Sequence, residues 1–362
     1  MIAAAEPHQR PPDARLLVID ASGCLRDADR VHILDYLRAG DLLVANDAAT
    51  LPASLTGTHL RTGAAIEVRL AARRSLSPDD VRLFRAVVFG AGDFHTPTEH
   101  RPLPPALEPG DRLLLGPLGA IVTQVLDHPR LVLIAFDGSA DEVWAGLARH
   151  GHPIQYAHMQ APLALWDVWT PIAGPPVAFE PPSAGFAIDW RLLGEMRRSG
   201  IRFATITHAA GISSTGDEAL DARLPFDEPY DIPQATADAI ALARAEGRRV
   251  VAVGTTVVRA LEHSATIHGL VRAGAGLATQ RITAATPLRV VDAIVSGVHE
   301  PSTSHYQLLG AFATADVLRK ADETMDALGY RTHEFGDSVL IERQRRNNRV
   351  SSGVLCAQTR NS

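Results

Sequence analysis

Short apolar runs and amphipathic stretches alternate at both ends of the chain. Residues 15–20 and 41–46 have the composition of buried strands, and 31–37 have that of a short helix between them. After residue 176 the predicted elements alternate between helix and strand: 188–199, 202–207, 233–246, 249–253 and 257–264. This alternation predicts an α/β class domain, layered, with a mostly parallel sheet.

The middle of the chain has a different pattern. From about residue 56 it contains short runs of β-type composition, separated by turn signals such as Asp137-Gly138. The predicted strands are 65–72, 81–89, 111–116, 120–126 and 130–136. Several short strands in succession predict a small antiparallel barrel or sandwich. We therefore expect residues 1–55 and 165–345 to form the α/β domain and residues 56–164 an inserted β-barrel-like domain.

Composition and charge limit the classes of function that the protein can have. The chain has 362 residues, of which 46% are hydrophobic and 21% charged, as in ordinary globular proteins. Its net charge of −6 gives no global attraction to nucleic acid, so an RNA contact would need a local patch. No apolar run has the length of a membrane helix, and no secretory signal is recognised, so we expect no membrane and a cytoplasmic location.

Two further compositional features bear on possible sites. The two cysteines, Cys24 and Cys356, are too few for a disulfide-rich scaffold or a cysteine-based zinc site. None of the 15 histidines has zinc-type spacing to a second histidine and a carboxylate, so no metal site is predicted. Residues 346–362 are predicted to be a disordered tail, with an RNA-contacting arm as the alternative.

The clearest local motif is a strand that runs into Gly254, Thr255 and Thr256 and then into a helix. The glycine allows close approach of a ligand, a threonine hydroxyl can cap the helix, and free N–H groups favour a phosphate or carboxylate. An ordinary strand-to-helix turn is the alternative, since the Walker and dinucleotide motifs are absent. Arg259 shares a helix face with Glu262, either as a surface ion pair or to hold an anion.

Two histidines follow predicted strands. His208 comes after strand 202–207, and His299 comes after an apolar run that begins at Val291. A histidine in such a place is suited to general acid or base catalysis, and a loop histidine with a structural role is the alternative. Open α/β sheets bind ligands beyond the carboxyl ends of their strands, where both histidines and the Gly254 turn would lie.

Several segments, in this order, resemble the S-adenosylmethionine:tRNA ribosyltransferase-isomerase family of queuosine biosynthesis. The resemblance extends from about Arg15 to Ile341. The segments that carry it are 37–47, 52–53, 182–185, 228–233, 253–262, 290–292, His299 with Pro301, 311–312 and 336–337. The Gly-Thr-Thr and Gly-Asp-Leu-Leu-Val sequences within them are the most specific.

The resemblance implies a fold, a reaction and a set of site residues. The fold is an α/β domain with an inserted β-barrel. The reaction moves the ribosyl part of S-adenosylmethionine to 7-aminomethyl-7-deazaguanine in tRNA and yields epoxyqueuosine, adenine and methionine, with no metal required. His208 or His299 would be the base. The residues assigned to substrate binding are Asn46, Asp47, Ser183, Gly185, Glu228, Gly254, Thr255, Thr256, Arg259 and Asp337.

The chain departs from the family pattern at polar positions. The replacing residues or segments are Ala48-Ala49, Ala187, Phe226, Val257, 282–286 and 297–304. They remove two histidines, a serine and a lysine, and each buried partner left unpaired costs about 1–3 kcal/mol. Two alternatives follow: a divergent enzyme that uses S-adenosylmethionine or a related nucleoside on a small molecule, and an inactive relative that binds a nucleotide or RNA. The oligomeric state stays open.

Overall fold

The computed structural model describes residues 1–301 and 303–344. The strands, in chain order, are β1 (Ile2–Ala3), β2 (Arg15–Ile19), β3 (Leu25–Asp29), β4 (Leu42–Asn46), β5 (Ala49–Thr50), β6 (Ser54–His59), β7 (Ala64–Ala72), β8 (Leu83–Phe89), β9 (Arg112–Leu115), β10 (Leu118–Val125), β11 (Leu131–Phe136), β12 (Pro176–Ala178), β13 (Arg202–His208), β14 (Glu228–Ile232), β15 (Val250–Val253), β16 (Gly274–Ala278), β17 (Ala293–Gly297), β18 (Arg331–Thr332) and β19 (Ser338–Glu342).

The helices complete the list of elements. The α-helices are α1 (Ala140–His150), α2 (Leu165–Val168), α3 (Trp190–Arg198), α4 (Glu218–Asp221), α5 (Gln234–Ala245), α6 (Thr255–His268), α7 (Ser304–Leu309) and α8 (Ala315–Ala327), and 3₁₀ helices cover Arg30–Tyr36, Thr98–His100 and Ser183–Ala187. Within the described ranges, each helix is too short or too polar to cross a bilayer. The tail predicted to be disordered, 346–362, lies outside the described residues.

A nine-stranded sheet organises the α/β domain, in the order β16-β14-β13-β4-β15-β17-β19-β2-β3. Its four central strands, β13, β4, β15 and β17, pair in parallel. On one side β14 and β16 continue the sheet with antiparallel pairing. On the other side β19 pairs antiparallel with β17, β2 parallel with β19, and β3 antiparallel with β2. Side chains of β4 alternate between two core clusters: Leu42 and Val44 face one, and Leu43 and Ala45 face the other. The predicted α/β class is confirmed, with parallel pairing concentrated at the centre.

The middle of the chain forms a closed antiparallel barrel in the order β10-β11-β8-β7-β6-β9. The five strands predicted there are present. The sixth, β6, was not predicted, because Ser-Leu-Thr-Gly-Thr-His offers few apolar positions. A side chain at Gly57 would place its Cβ 2.1 Å from the carbonyl oxygen of Leu114, so only glycine allows this approach of β6 to β9.

The barrel packs against the connection between β13 and β14. Ile212, Leu220, Leu224 and Phe226 from that connection belong to the same buried cluster as the barrel interior. The carboxyl end of the central sheet therefore faces the barrel, and the space between them is where the site is found. The helix predicted for 257–264 begins earlier, at Thr255, and continues to His268, where Gly269 in the left-handed conformation ends it.

Candidate active site

A cavity of about 940 Å³ lies beyond the carboxyl ends of the central strands. The barrel contributes residues 97–99, and the C-terminal segment contributes 332–334. A smaller inner recess of about 40 Å³ adjoins the cavity and is lined by Glu228, Thr255 and Arg259 among others. The residues shared by both are Ser213, Arg281, Ser304, His305 and Gln307.

Helix α6 begins at the inner recess. Gly254 precedes it with φ +98° and ψ 154°, a conformation that glycine adopts far more readily than other residues. Neither threonine hydroxyl caps the helix, contrary to the prediction; the Thr256 hydroxyl instead accepts a hydrogen bond from Asn46 Nδ2 at 3.3 Å. The first N–H groups of α6 thus lack a side-chain acceptor, which makes them suitable for an anionic ligand group.

Asn46 and Asp47 hold the ends of β4 and β13 together. Asn46 Nδ2 donates to the carbonyl of His208 at 2.9 Å, and Asn46 Oδ1 accepts from the N–H of His208 at 2.9 Å. Asp47 accepts from the hydroxyl of Thr207 at 2.7 Å. Neither residue lines the cavity or the inner recess, so both predicted binding residues have positioning contacts instead.

A buried charge pair forms one wall of the inner recess. Arg259 Nη1 donates to Glu228 Oε2, and Glu228 Oε1 accepts from the N–H of Gly211 at 2.7 Å. Arg259 Nη2 donates to the carbonyls of Ala278 at 3.0 Å and Phe226 at 3.2 Å. Both terminal nitrogens of Arg259 are therefore engaged within the protein, although the side chain lines the recess.

Of the two alternatives for Arg259, the surface ion pair with Glu262 is wrong. Both side chains are buried, and they have different partners. Glu262 accepts hydrogen bonds from the N–H groups of Arg289 at 2.7 Å, Val290 at 2.9 Å and Val291 at 2.9 Å. Three N–H donors stabilise this carboxylate and fix the chain before β17.

His208 lies behind this wall. Its side chain is completely buried, its Nε2 is 3.5 Å from Glu228 Oε2, and its ring is parallel to that of Tyr230. Burial, together with the nearby positive charge of Arg259, lowers the pKa of His208 well below its usual value. His208 lines neither the cavity nor the inner recess, so the arrangement does not bring it together with His299 at the cavity wall.

His299 and His305 face the cavity side by side, with ring centroids 4.8 Å apart. The Nε2 of His299 is 3.0 Å from the hydroxyl of Ser296. Burial lowers the pKa of both histidines, that of His305 to about 4, so both rings are neutral at neutral pH and can accept a proton. His305 was not predicted as a site residue. Its position in the helix directly after the loop that contains His299 could have indicated it.

The remaining predicted residues divide between cavity and scaffold. Ser183 lines the cavity. Gly185 is buried, and a Cβ there would lie 3.0 Å from Thr170 Cγ2, so its role is close packing. Asp337 accepts from the N–H groups of Arg15 at 2.8 Å and Arg331 at 2.7 Å and does not line the cavity. It joins the start of β2 to β18.

A buried polar group in the cavity was missed by sequence reasoning. The Tyr156 hydroxyl donates to Glu180 Oε1, and the N–H of Ser214 donates to that hydroxyl at 3.3 Å. Burial raises the pKa of Glu180 to about 7, so this carboxyl can exist in both protonation states near neutral pH. Burial also raises the pKa of Tyr156. Glu180 lies directly before Pro181-Pro182, and only its proximity to the predicted Ser183 could have suggested it.

Three potential metal ligands lie at the same cavity wall. His158, His333 and Glu334 each offer one ligand atom, and these atoms are all within 4.8 Å of one another. His158 and Glu334 are 176 residues apart in the chain, which is why histidine spacing could not indicate them.

The positions that depart from the family pattern divide between buried packing and the cavity, where segment 297–304 contributes His299, Glu300, Thr303 and Ser304 to the lining. Ala48 and Val257 are completely buried. Phe226 is buried, and the guanidinium of Arg85 lies over its ring, 4.7 Å from the centroid. Ala187 is half-buried and is the last residue of a 3₁₀ helix. Ile282 does line the inner recess, where it adds an apolar surface.

The cavity lining is acidic. Its carboxylate residues are Glu99, Glu180, Glu218, Asp221, Glu300 and Glu334. Among the lining residues that the structure describes, Arg281 alone carries a permanent positive charge. A surface of this composition attracts a cationic ligand and repels phosphate groups.

Comparisons with known proteins cover most of the chain. The model of a family described as "Queuosine biosynthesis protein" matches residues 1–341. The chain is 33% identical over 343 residues to a protein of Methylobacterium radiotolerans, covering 91% of this chain and 92% of the relative. It is 32% identical over 369 residues to one of Sorangium cellulosum, covering 94% and 95%. Both relatives are named S-adenosylmethionine:tRNA ribosyltransferase-isomerase.

A further relative and a solved structure also match most of the chain. A protein of Thermus thermophilus with the same name is 33% identical over 341 residues, covering 91% of this chain and 92% of the relative. The crystal structure of an S-adenosylmethionine tRNA ribosyltransferase from Thermotoga maritima aligns with a TM-score of 0.49 at 24% identity, covering 94% of this chain and 96% of that one.

Proposed function

The chain belongs to the queuosine biosynthesis protein family, and we propose that it is an S-adenosylmethionine:tRNA ribosyltransferase-isomerase. In this proposal S-adenosylmethionine is a substrate, its ribosyl part moves to 7-aminomethyl-7-deazaguanine in tRNA, and adenine and methionine are released. The observation that carries the proposal is the family match over residues 1–341, together with two relatives of that name at 33% identity.

The cavity suits S-adenosylmethionine by charge and size. The sulfonium is a cation, and the acidic lining would stabilise it. The methionine carboxylate would bind the free N–H groups at the start of α6, beside Thr255 and Thr256. A cavity of about 940 Å³ is at the upper end of the roughly 300–1,000 Å³ of small-molecule sites, which leaves room for an acceptor base beside the substrate.

The proton transfers can be assigned to residues at the cavity wall. The sulfonium acidifies the adjacent 5′ carbon, so a base must remove a proton there, and neutral His299 is our choice because it faces the cavity. His208, the other predicted base, would act only through its contact with the carboxylate of Glu228. The departing adenine needs a proton, and the protonated form of Glu180 would supply it. Ser183 remains a candidate for substrate binding.

Two measurements on one sample test the proposal. Purified protein is titrated with S-adenosylmethionine by calorimetry, and released adenine is assayed with and without tRNA that carries 7-aminomethyl-7-deazaguanine. We expect saturable binding and adenine release that depends on this tRNA. Absence of binding would overturn the proposal and favour the inactive relative.

A small-molecule acceptor is the second candidate, and the acidic lining favours it. Phosphate groups of tRNA gain little from a cavity with six carboxylate residues and a single arginine among the described lining residues. For this candidate, S-adenosylmethionine binds, but the modified tRNA does not stimulate adenine release. The acceptor would then be sought among amines small enough to enter beside the bound nucleoside.

A further inference from the structure

We propose that His158, His333 and Glu334 bind a divalent transition-metal ion at the wall of the cavity. The proposal does not rest on the transferase function, because it concerns three side chains with no part in the steps assigned above. Two imidazoles and one carboxylate are a ligand set that zinc and its first-row neighbours accept.

The three ligand atoms lie close enough to hold a metal ion once the two imidazole rings turn out of their stacked arrangement. Nε2 of His158 is 3.3 Å from Glu334 Oε2, and the rings of His158 and His333 are nearly parallel, 4.1 Å between centroids. Ligand atoms at the usual zinc distances of about 2.0–2.2 Å lie roughly 3.3 Å from one another in a tetrahedron. The distance between His158 Nε2 and Glu334 Oε2 already has this length. The three ligand atoms all lie within 4.8 Å of one another, and rotation of the side chains would bring the His333 nitrogen to the same distance from the other two.

The backbone at His333 is held in an unusual conformation. Over residues 1–301 and 303–344, His333 is the one non-glycine residue with positive φ, at +68°. Left-handed conformations are costly for such residues and persist where the surroundings enforce them, often at functional sites. Here the carbonyl of His333 accepts from the N–H of Gly336 at 3.1 Å, which closes the turn that brings His333 against His158.

The cluster has access to the cavity. All three side chains are half-buried and line it, so an ion would keep an open coordination position on the cavity side. Three protein ligands and an open position are the arrangement of catalytic rather than structural zinc sites. The open position would take an oxygen ligand, from water or from a carboxylate, phosphate or hydroxyl group. Glu300 Oε1 lies 3.9 Å from His333 Nε2 and places a further carboxylate beside the cluster.

A direct test measures the metal itself. The full chain is stripped with a chelator, dialysed, and titrated with ZnCl₂ by calorimetry and with CoCl₂ by visible absorption. We expect one tight zinc ion per chain and a cobalt spectrum of low coordination number. His333→Asn removes the imidazole but tolerates positive φ, and Glu334→Gln keeps the side-chain shape. Each should weaken zinc binding at least tenfold and remove the cobalt spectrum.

The control is His95→Asn, since His95 is exposed, pairs with Asp93 at 3.0 Å and lines neither the cavity nor the inner recess. It should bind zinc as tightly as the parent chain. Zinc affinity unchanged in both His333→Asn and Glu334→Gln, or no saturable binding to the parent chain, would overturn the proposal. Thermal unfolding of the metal-free variants checks their folding, and zinc should raise the Tm of the parent chain but not of the variants. None of these readouts uses S-adenosylmethionine or tRNA.

Discussion

Arg259 on α6 donates a hydrogen bond to the carboxylate of Glu228 on β14, and both side chains are buried at the wall of the inner recess. The two residues are 31 positions apart in the chain. Their pairing joins helix α6, which begins at Thr255, to the strand beside β13. The charge pair therefore fixes the shape of the recess, and its contribution to stability can be separated from any contact with substrate.

Glu228→Gln should destabilise the protein by about 3–5 kcal/mol, because the Arg259 charge then stays buried without a counter-charge. The free energy of unfolding in urea measures this. Arg259→Met should also be destabilising, and the double variant should lose less than the two single variants together, since the two side chains are in contact.

Glu323→Gln is the matched control for that experiment. Glu323 pairs with Arg319 at 2.9 Å on the exposed face of α8, so its loss should change stability little. If Glu228→Gln and Glu323→Gln both lowered the free energy of unfolding by the same small amount, the buried charge pair of Glu228 and Arg259 would be contradicted.

Gly254→Ala should cost about 1–3 kcal/mol and weaken binding of S-adenosylmethionine. The cause is the backbone, because φ is +98° while a Cβ would meet Ala184 Cβ at an acceptable 3.5 Å. Gly194→Ala serves as control: this glycine lies inside α3 with space for a methyl group, and alanine should stabilise the helix by up to about 1 kcal/mol. If both variants were equally stable, the conformation of Gly254 would not matter.

Much of the fold could be predicted because it follows from local patterns. The helix–strand alternation identified the α/β domain, and the change of pattern near residue 56 identified the barrel. Strand β6 could not be found in this way, because its pairing with β7 and β9, rather than its hydrophobicity, makes it a strand. The antiparallel edges of the sheet likewise depend on long-range pairing, which a linear pattern does not encode.

The site was predicted less well, for the same physical reason. The Gly254 turn and His299 were predicted as site residues because a strand end indicates a ligand-binding edge, and in the structure His299 lines the cavity and Thr255 the inner recess. A surface ion pair with Glu262 was one alternative for Arg259, because residues three apart share a helix face. Buried charges select partners through tertiary packing, and the partner of Arg259 is Glu228. His158 and His333 are neighbours only in the folded chain, so no spacing rule could join them.

The contribution of Glu180 to stability should fall as pH rises toward 7. Burial raises its pKa to about 7, so folding favours its protonated form. This stabilisation is complete below about pH 4.5 and is lost as pH rises through 7; its size is on the order of 3 kcal/mol. The free energy of unfolding of Glu180→Gln, measured in urea across this pH range, should lack this pH-dependent component. Glu218→Gln, an exposed change at the same cavity, should keep the parent profile.

His299→Gln should lower the rate of adenine release about 10²–10⁴-fold, the usual contribution of a general base, while S-adenosylmethionine binds nearly as tightly as before. The reason is that His299 faces the cavity as a neutral imidazole beside the Ser296 hydroxyl, which can orient its ring. Single-turnover rates and calorimetry on the same preparation separate the rate from the affinity. His305→Gln is the comparison, because its ring lies 4.8 Å from that of His299 and also lines the cavity. A normal rate in His299→Gln together with a large loss in His305→Gln would transfer the role of base to His305.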